Sequence, residues 1–291
     1  MTNSAITHPL ATPVASLVVR AFGLTDPGRV RAANEDNFLV AELSRTLRIQ
    51  QTSLSQPAKY RSRSRGHVLL VADGMGGHAA GEVASALTVE TVEGFVVELL
   101  RRFSNLQADD ESGVLSDLRE AVQQADARIF EESEQHPELA GMGTTLTLAF
   151  ASGRRLFVFH VGDSRCYLCR TGRVVRLTED HTVTAELVRD GTLTPEEASH
   201  HPARHVVTNI LGGGHAGVRV DIRCIDLHSG DSVLLCSDGL TDMLDDARIA
   251  AVLTVESDPE SACTRLVAEA NEAGGRDNIT AVVARFDAPP S

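Results

Sequence analysis

Residues 68–74, VLLVADG, and residues 233–239, VLLCSDG, agree at five of seven positions. Each is an apolar, β-rich run that stops at Asp-Gly, so Asp73 and Asp238 fall directly after a strand. Asp163 does the same after a third apolar run, in FVFHVGDS, and Asp277 stands in GGRDN just before the last strand, ITAVVARF. Glu35 and Asp36 are adjacent where another strand begins. One aspartate at a strand end is common turn chemistry. Acids at the ends of several strands can meet at one rim of a sheet layer, where uncompensated charge raises their pKa values. A bound cation removes that penalty. All-oxygen carboxylate sites suit hard ions, so Mg²⁺ or Mn²⁺ is predicted rather than zinc or copper. The glycine after Asp73 and Asp238 lets backbone approach such an ion closely.

Outward from these runs the pattern alternates between short strands and helix pairs. LVVRAFGL (from Leu17), DNFLVAEL and HVLLVA read as strands bounded by Asp, Pro and Gly. Residues 79–103 predict a helix, with Val92, Val96, Leu99 and Phe103 on one face, and Leu115, Leu118, Val122, Ala125 and Ile129 predict a second. TTLTLAF, RLFVFHV, RCYLCR and RVVRL then follow so closely that antiparallel hairpins suit them. VRVDIRCIDL and SVLLCS, a helix over 258–273 and ITAVVARF complete the chain. This order lacks βαβ alternation, so the predicted class is α+β in layers rather than a doubly wound sheet.

No linker divides the chain, which predicts one domain over 17–287 between a flexible N-terminal tail (1–16) and a short C-terminal tail (288–291). Residues 45–66 carry six cations and no acid. They read as an exposed basic loop insertion, with a grip on an acidic partner as the functional alternative. Residues 182–215 are polar and read as a surface excursion.

The composition, 42% hydrophobic and 23% charged at a mean hydropathy of -0.06, is that of a globular protein. Lys+Arg 27 against Asp+Glu 40 gives a net charge of -13, which disfavours a nucleic-acid partner. No apolar run approaches the roughly 20 residues that cross a bilayer, and the first twenty residues lack a signal-peptide pattern. No membrane partner and a cytoplasmic location are therefore expected. Five cysteines, odd in number and scattered, predict reduced core thiols. Cys166 and Cys169 have CxxC spacing but no second pair, and on a strand they would point to opposite faces.

Taken in order, GLTDPGRVRAANEDNF, VADGMGGHAAGEVAS, GMGTTLTLA, HVGDSRCYL, CSDGLTDML and GGRDNITAVV resemble the metal-dependent protein serine/threonine phosphatases of the PP2C type, in their bacterial branch. Six motifs in the family's order cover residues 20–286. The resemblance implies a central β-sandwich of two antiparallel sheets flanked by α-helices. It implies a binuclear Mn²⁺ or Mg²⁺ centre whose activated water hydrolyses phosphoserine and phosphothreonine. By the same resemblance Asp73 bridges the two ions, the Gly74 carbonyl ligates one, and Asp238 and Asp277 complete the first. Glu35 and Asp36 hold the second, and Asp163 with Asp238 holds a weaker third. Arg31 is similar to the arginine that contacts the substrate phosphate, so Asp73, Asp238 and Arg31 are the predicted catalytic residues. The implied partners are phosphorylated proteins, a Ser/Thr kinase or its substrates among them, and residues 182–215 resemble the family's flap.

In animal members a histidine follows the Asp-Gly and is the proposed acid for the leaving alcohol, whereas this chain has Met75 there. His78 stands near a helix N-terminus, where the dipole disfavours a cation. No cysteine has an arginine six positions later, so the loop of cysteine-based phosphatases is absent. His200, His201 and His205 lack an accompanying carboxylate motif and are not predicted to bind metal. Two other functions compete. GMGGHA (74–79) superficially fits a dinucleotide fingerprint, but Asp73 would repel a pyrophosphate and no βαβ unit follows. A catalytically weak phosphatase-fold scaffold that binds phosphoproteins should lose metal aspartates, and Asp73, Asp238 and Asp277 are all present.

Overall fold

The structure, a computed structural model, describes residues 17–44, 65–76, 80–102, 111–213 and 217–289. The expected tail 1–16, the basic segment as far as residue 64, and His78 lie outside the described residues. Arg65 and Gly66, counted with the basic loop in the sequence, instead open a strand.

Eleven strands form two antiparallel sheets among the described residues. One sheet runs in the order β1 (Val18–Asp26), β11 (Ile279–Asp287), β10 (Asp231–Cys236), β7 (Arg165–Arg170), β8 (Arg173–Arg176). The other runs β2 (Asp36–Ser44), β3 (Arg65–Met75), β5 (Leu146–Ser152), β6 (Arg155–Val161), β9 (Asp221–Asp226), with the two-residue β4 (Gly143–Thr144) also pairing β3. Helices α1 (Ala80–Arg102) and α2 (Glu111–Gln135) cover the second sheet. Helices α5 (Asp238–Thr241), α6 (Asp246–Val255) and α7 (Pro259–Glu272) cover the first. Two short helices, α3 (Val183–Arg189) and α4 (Pro195–Ser199), lie in the predicted surface excursion.

Strand β3 explains why the layers stack this way. Its residues alternate between two cores: Val68, Leu70 and Ala72 pack under the helices, while Leu69 and Val71 face the opposite sheet. Buried on both faces, it reads as an unbroken apolar run. Burying each such Leu or Val stabilises the fold by about 1.5–3 kcal/mol. The CxxC pair follows the same rule: Cys166 enters the inter-sheet core and Cys169 the core under α6 and α7. Because β3 pairs antiparallel on both sides, the dinucleotide alternative is excluded.

Three local expectations need correction. TTLTLAF is split, β4 ending at Thr144 and β5 beginning at Leu146. The strand expected from Val218 begins at Asp221. Helix α6 was not predicted; it is capped by Asp245, whose carboxylate accepts from the Arg248 N–H, and buries Ile249, Val252 and Leu253.

The topology brings the acids together. β3 carries Asp73 and Gly74 in its last three residues, and β10 ends at Cys236, two residues before Asp238. Strands β2 and β11, antiparallel to them, begin beside Asp36 and Asp277. Asp163 sits in the turn from β6 into β7, whose Arg165 pairs with Cys236 of β10. All these termini fall at one end of the sandwich.

Candidate metal centre

Asp36 and Asp73 are direct partners across β2 and β3. Asp36 is 4% exposed. Its Oδ2 accepts hydrogen bonds from Ser237 Oγ at 2.7 Å and Thr280 Oγ1 at 2.6 Å, both from the opposite sheet's side of the rim, while its Oδ1 has no partner. Burial pushes the Asp36 carboxyl up to about 6, against the two hydroxyls, which favour its charged form. Asp73 is held through its peptide: its N–H donates to Thr145 Oγ1, and its carbonyl accepts from Thr144 Oγ1 and the Thr145 N–H. Thr145 Oγ1 also meets Ser164 Oγ at 2.7 Å, linking β3 to the residue after Asp163. Burial drives the Asp73 carboxyl well above the ordinary carboxylate range, and Asp36, Asp238, Asp163 and Asp277 push it further.

Asp238 opens α5, next to Ser237. Its carboxyl is also driven well up, first by burial and then by Asp163, Asp242, Asp277 and Asp36. Burial and the charge of Asp180 bring Asp163 to about 7. Asp36, Asp73 and Asp238 are thus each penalised by neighbouring acids of the rim.

The Glu35 and Gly74 backbones meet at 3.2 Å, the Gly74 N–H donating to the Glu35 carbonyl. A Cβ on Gly74 would lie 2.1 Å from the Gly81 carbonyl oxygen, and one on Gly81 would lie 2.7 Å from Glu35 Oε2. Close approach of β3, the 27–35 loop and the start of α1 therefore requires both glycines. Asn278 fixes that loop: its Oδ1 accepts from the Glu35 N–H, and its Nδ2 donates to the carbonyls of Pro27 and Ala33. Burial raises the Glu35 carboxyl, and Arg31 opposes the shift. Arg31 Nη2 stands 2.6 Å from Asp277 Oδ2, on the same rim as the acids.

All eight predicted site residues, Arg31, Glu35, Asp36, Asp73, Gly74, Asp163, Asp238 and Asp277, therefore converge. The donor set is all oxygen, includes a buried carboxylate oxygen without a partner, and concentrates charge that the protein alone does not neutralise. It fits hard divalent cations such as Mn²⁺ or Mg²⁺.

The flap histidines divide. His200 caps α4, and His201 Nδ1 accepts from the Ala203 N–H, both local roles. His205 differs: its Nδ1 lies 4.0 Å from Asp238 Oδ2 and its Nε2 3.6 Å from Asp242 Oδ2, a trio spaced to hold an ion. No carboxylate motif accompanies His205 in the sequence, and the fold supplies both carboxylates, Asp238 and Asp242, the latter not among the predicted site residues, from a segment more than 30 residues away. The signal available was the second Asp of CSDGLTDML. From Asp163 and Asp238 an open cleft of about 890 Å³ extends beneath α3 and α4.

The protein phosphatase 2C family profile matches residues 47–273 of the chain. The serine/threonine protein phosphatase PstP of Mycobacterium tuberculosis is 37% identical over 270 residues, covering 92% of this chain and 45% of that protein. The serine/threonine phosphatase stp of Listeria monocytogenes is 33% identical over 263 residues, covering 90% of this chain and 94% of stp. A crystal structure of the PstP catalytic domain in complex with two manganese ions superposes with a TM-score of 0.73 at 36% identity, covering 94% of this chain and all of that domain. The chain belongs to the protein phosphatase 2C family, and its two antiparallel sheets with flanking helices are that family's architecture. It spans just under half the length of the M. tuberculosis relative and nearly all of the Listeria one.

Proposed function

We propose that this chain is a serine/threonine protein phosphatase, hydrolysing phosphoserine and phosphothreonine on proteins at a centre of two Mn²⁺ or Mg²⁺ ions. The observation that carries it is the convergence of five aspartates from separate strand ends, the most buried of them held above their ordinary pKa by burial and by one another. The manganese-bound structure of the PstP domain supports the same choice of ions.

In this proposal Asp73 would serve both ions and the Gly74 carbonyl one of them, Asp238 and Asp277 would complete the first, and Glu35 and Asp36 would hold the second. Asp163 and Asp238 hold a weaker third. When bound, such ions supply Lewis acidity and a nucleophilic water at neutral pH. Arg31 offers guanidinium donors beside Asp277, suited to orient a phosphoryl oxygen. Ser237 and Thr280 set the Asp36 carboxylate, and Thr144 and Thr145 set the Asp73 peptide, so the acids are positioned before substrate arrives. Residues 17–287 form the functional unit, with 182–215 as its flap. The partners are phosphoproteins, including a Ser/Thr kinase or its substrates, in the cytoplasm. No helix of the described residues is long and apolar enough to cross a membrane.

The test is hydrolysis of a phosphothreonine peptide at neutral pH with Mn²⁺, with Mg²⁺ and with excess EDTA, beside Asp73→Asn. Release that needs metal and vanishes in the variant is expected. A folded, metal-loaded protein that releases nothing yet still captures the phosphopeptide would instead make it a phosphoprotein-binding scaffold.

A further inference from the structure

The cleft beneath α3 and α4 is lined by five arginines, and they fall into two groups. Arg165 and Arg176 are both pinned to Asp180, at 2.7 Å and 3.3 Å. Arg189, Arg204 and Arg276 are exposed, and no carboxylate of the described residues pairs with any of them. In a chain where 40 acids face 27 cations, three guanidinium groups left without a partner in one cleft are conspicuous. They come from three separate segments: the last turn of α3, the stretch after α4, and the loop before β11.

All three line the cleft that opens from the acidic rim. Arg276 precedes Asp277, the partner of Arg31. Arg204 precedes His205, whose ring approaches Asp238 and Asp242. Arg189 stands at the end of α3, where Val188 and Pro195 share the lining. An extended peptide advances about 3.3 Å per residue, so a chain whose phosphorylated residue sits at the acidic rim would carry its neighbouring side chains along the cleft.

We propose that Arg189, Arg204 and Arg276 form a second anion subsite that selects phosphopeptides bearing another negative group, a carboxylate or a second phosphate, within a few residues of the scissile ester. This rests on the phosphatase reading above. Elsewhere the net charge of -13 repels such a peptide, so the local cations decide whether it docks. Five acids share the lining: Asp180 is paired with Arg165 and Arg176, Asp163, Asp238 and Asp242 stand at the rim end where the proposed ions would offset their charge, and Glu179 alone faces the three guanidinium groups. Arginine is suited to the task because its planar fork matches either anion.

The experiment compares three phosphothreonine peptides: one with alanine flanks, one with glutamate flanks, and one with a non-hydrolysable phosphonate analogue of phosphoserine in the flank. With Mn²⁺ at low salt, the wild-type kcat/KM for one or both anionic peptides should exceed that of the alanine peptide about tenfold, the sum expected of a few exposed ion pairs. The gain should reside in KM and shrink with added salt. The triple variant R189A/R204A/R276A should lose the preference while still hydrolysing p-nitrophenyl phosphate, which has no flank, and the triple lysine variant should retain most of it. The two anionic peptides tell carboxylate from phosphate recognition. A wild-type ratio near one, or an undiminished ratio in the triple alanine variant, overturns the subsite. If no ester is hydrolysed at all, the phosphatase reading fails separately, and fluorescence anisotropy with the same peptides decides the subsite: tighter binding of an anionic peptide, lost in the triple alanine variant, supports it, and equal binding overturns it.

Discussion

Ser237 donates its hydroxyl to Asp36 Oδ2 at 2.7 Å, joining the residue before the Asp238 acid to the first residue of β2 in the opposite sheet. Thr280 donates to the same oxygen from β11. Partners of this kind orient a ligand, and their loss commonly weakens metal binding 10- to 100-fold. Ser237→Ala is therefore expected to weaken Mn²⁺ activation about tenfold, read from the Mn²⁺ dependence of turnover, with a maximal rate closer to wild type. An unchanged Mn²⁺ dependence would remove Ser237 from the centre.

Asp73 stands among four other acids, which with burial penalise its ionised form. Neutralising it relieves that repulsion, so metal-free Asp73→Asn should melt a few degrees above metal-free wild type, a gain on the order of 1–2 kcal/mol. The same variant should show no turnover and little further rise in melting temperature on adding Mn²⁺. If Mn²⁺ stabilises the variant as much as wild type, Asp73 is not a ligand.

Gly74→Ala tests the backbone approach rather than the charge. Its Cβ would have to displace the Gly81 carbonyl, 2.1 Å away, at the first turn of α1. Crowding of this kind costs about 1–3 kcal/mol, visible as a lower urea midpoint. Turnover should fall with it, since Glu35 rests against the same turn. A stable, active variant would show that the α1 end yields freely.

His160 gives the fold an acid-sensitive point away from the centre. Burial, then the His181 ring 4.9 Å away, lowers its pKa to about 4, and the ring lies between Thr147 Oγ1 and the Glu179 carbonyl. The folded pKa is depressed below the unfolded value near 6.5. Its contribution is thus fully present above about pH 6.5 and is lost as pH falls through 4, up to about 3 kcal/mol. His160→Gln should lose less stability than wild type between pH 7 and pH 4 in urea titrations. Parallel losses would acquit His160.

Of the five cysteines only Cys224 is exposed, whereas burial pushes Cys236 and Cys263 up to about 12 and Cys166 higher still. One thiol should react promptly with Ellman's reagent in the native protein, and five after denaturation. Fast reaction of several native thiols would contradict the core packing.

The acid rim was legible because each aspartate sits where an apolar run begins or ends, a local pattern that needs no knowledge of the fold. Ser237 and Thr280 were not, because their role depends on contacts to Asp36 across 201 and 244 residues of chain. His205 and Asp242 meet for the same long-range reason. Helix α6 escaped because DARIAAVLTV has few polar residues to mark its outer face, so its period does not stand out from a strand-like run.

The acids come from both sheets, with the inter-sheet core between them: Asp36 and Asp73 on one, Asp238 and Asp277 flanking strands of the other. The packed layer of Leu69, Val71, Ala149, Leu235 and Val282 is therefore a caliper, its thickness setting the gap across which the two halves of the rim face each other. At the proposed centre, an ion of different radius would have to be met by a shift of that layer, which would tie any preference for one cation over another to hydrophobic volume far from any oxygen.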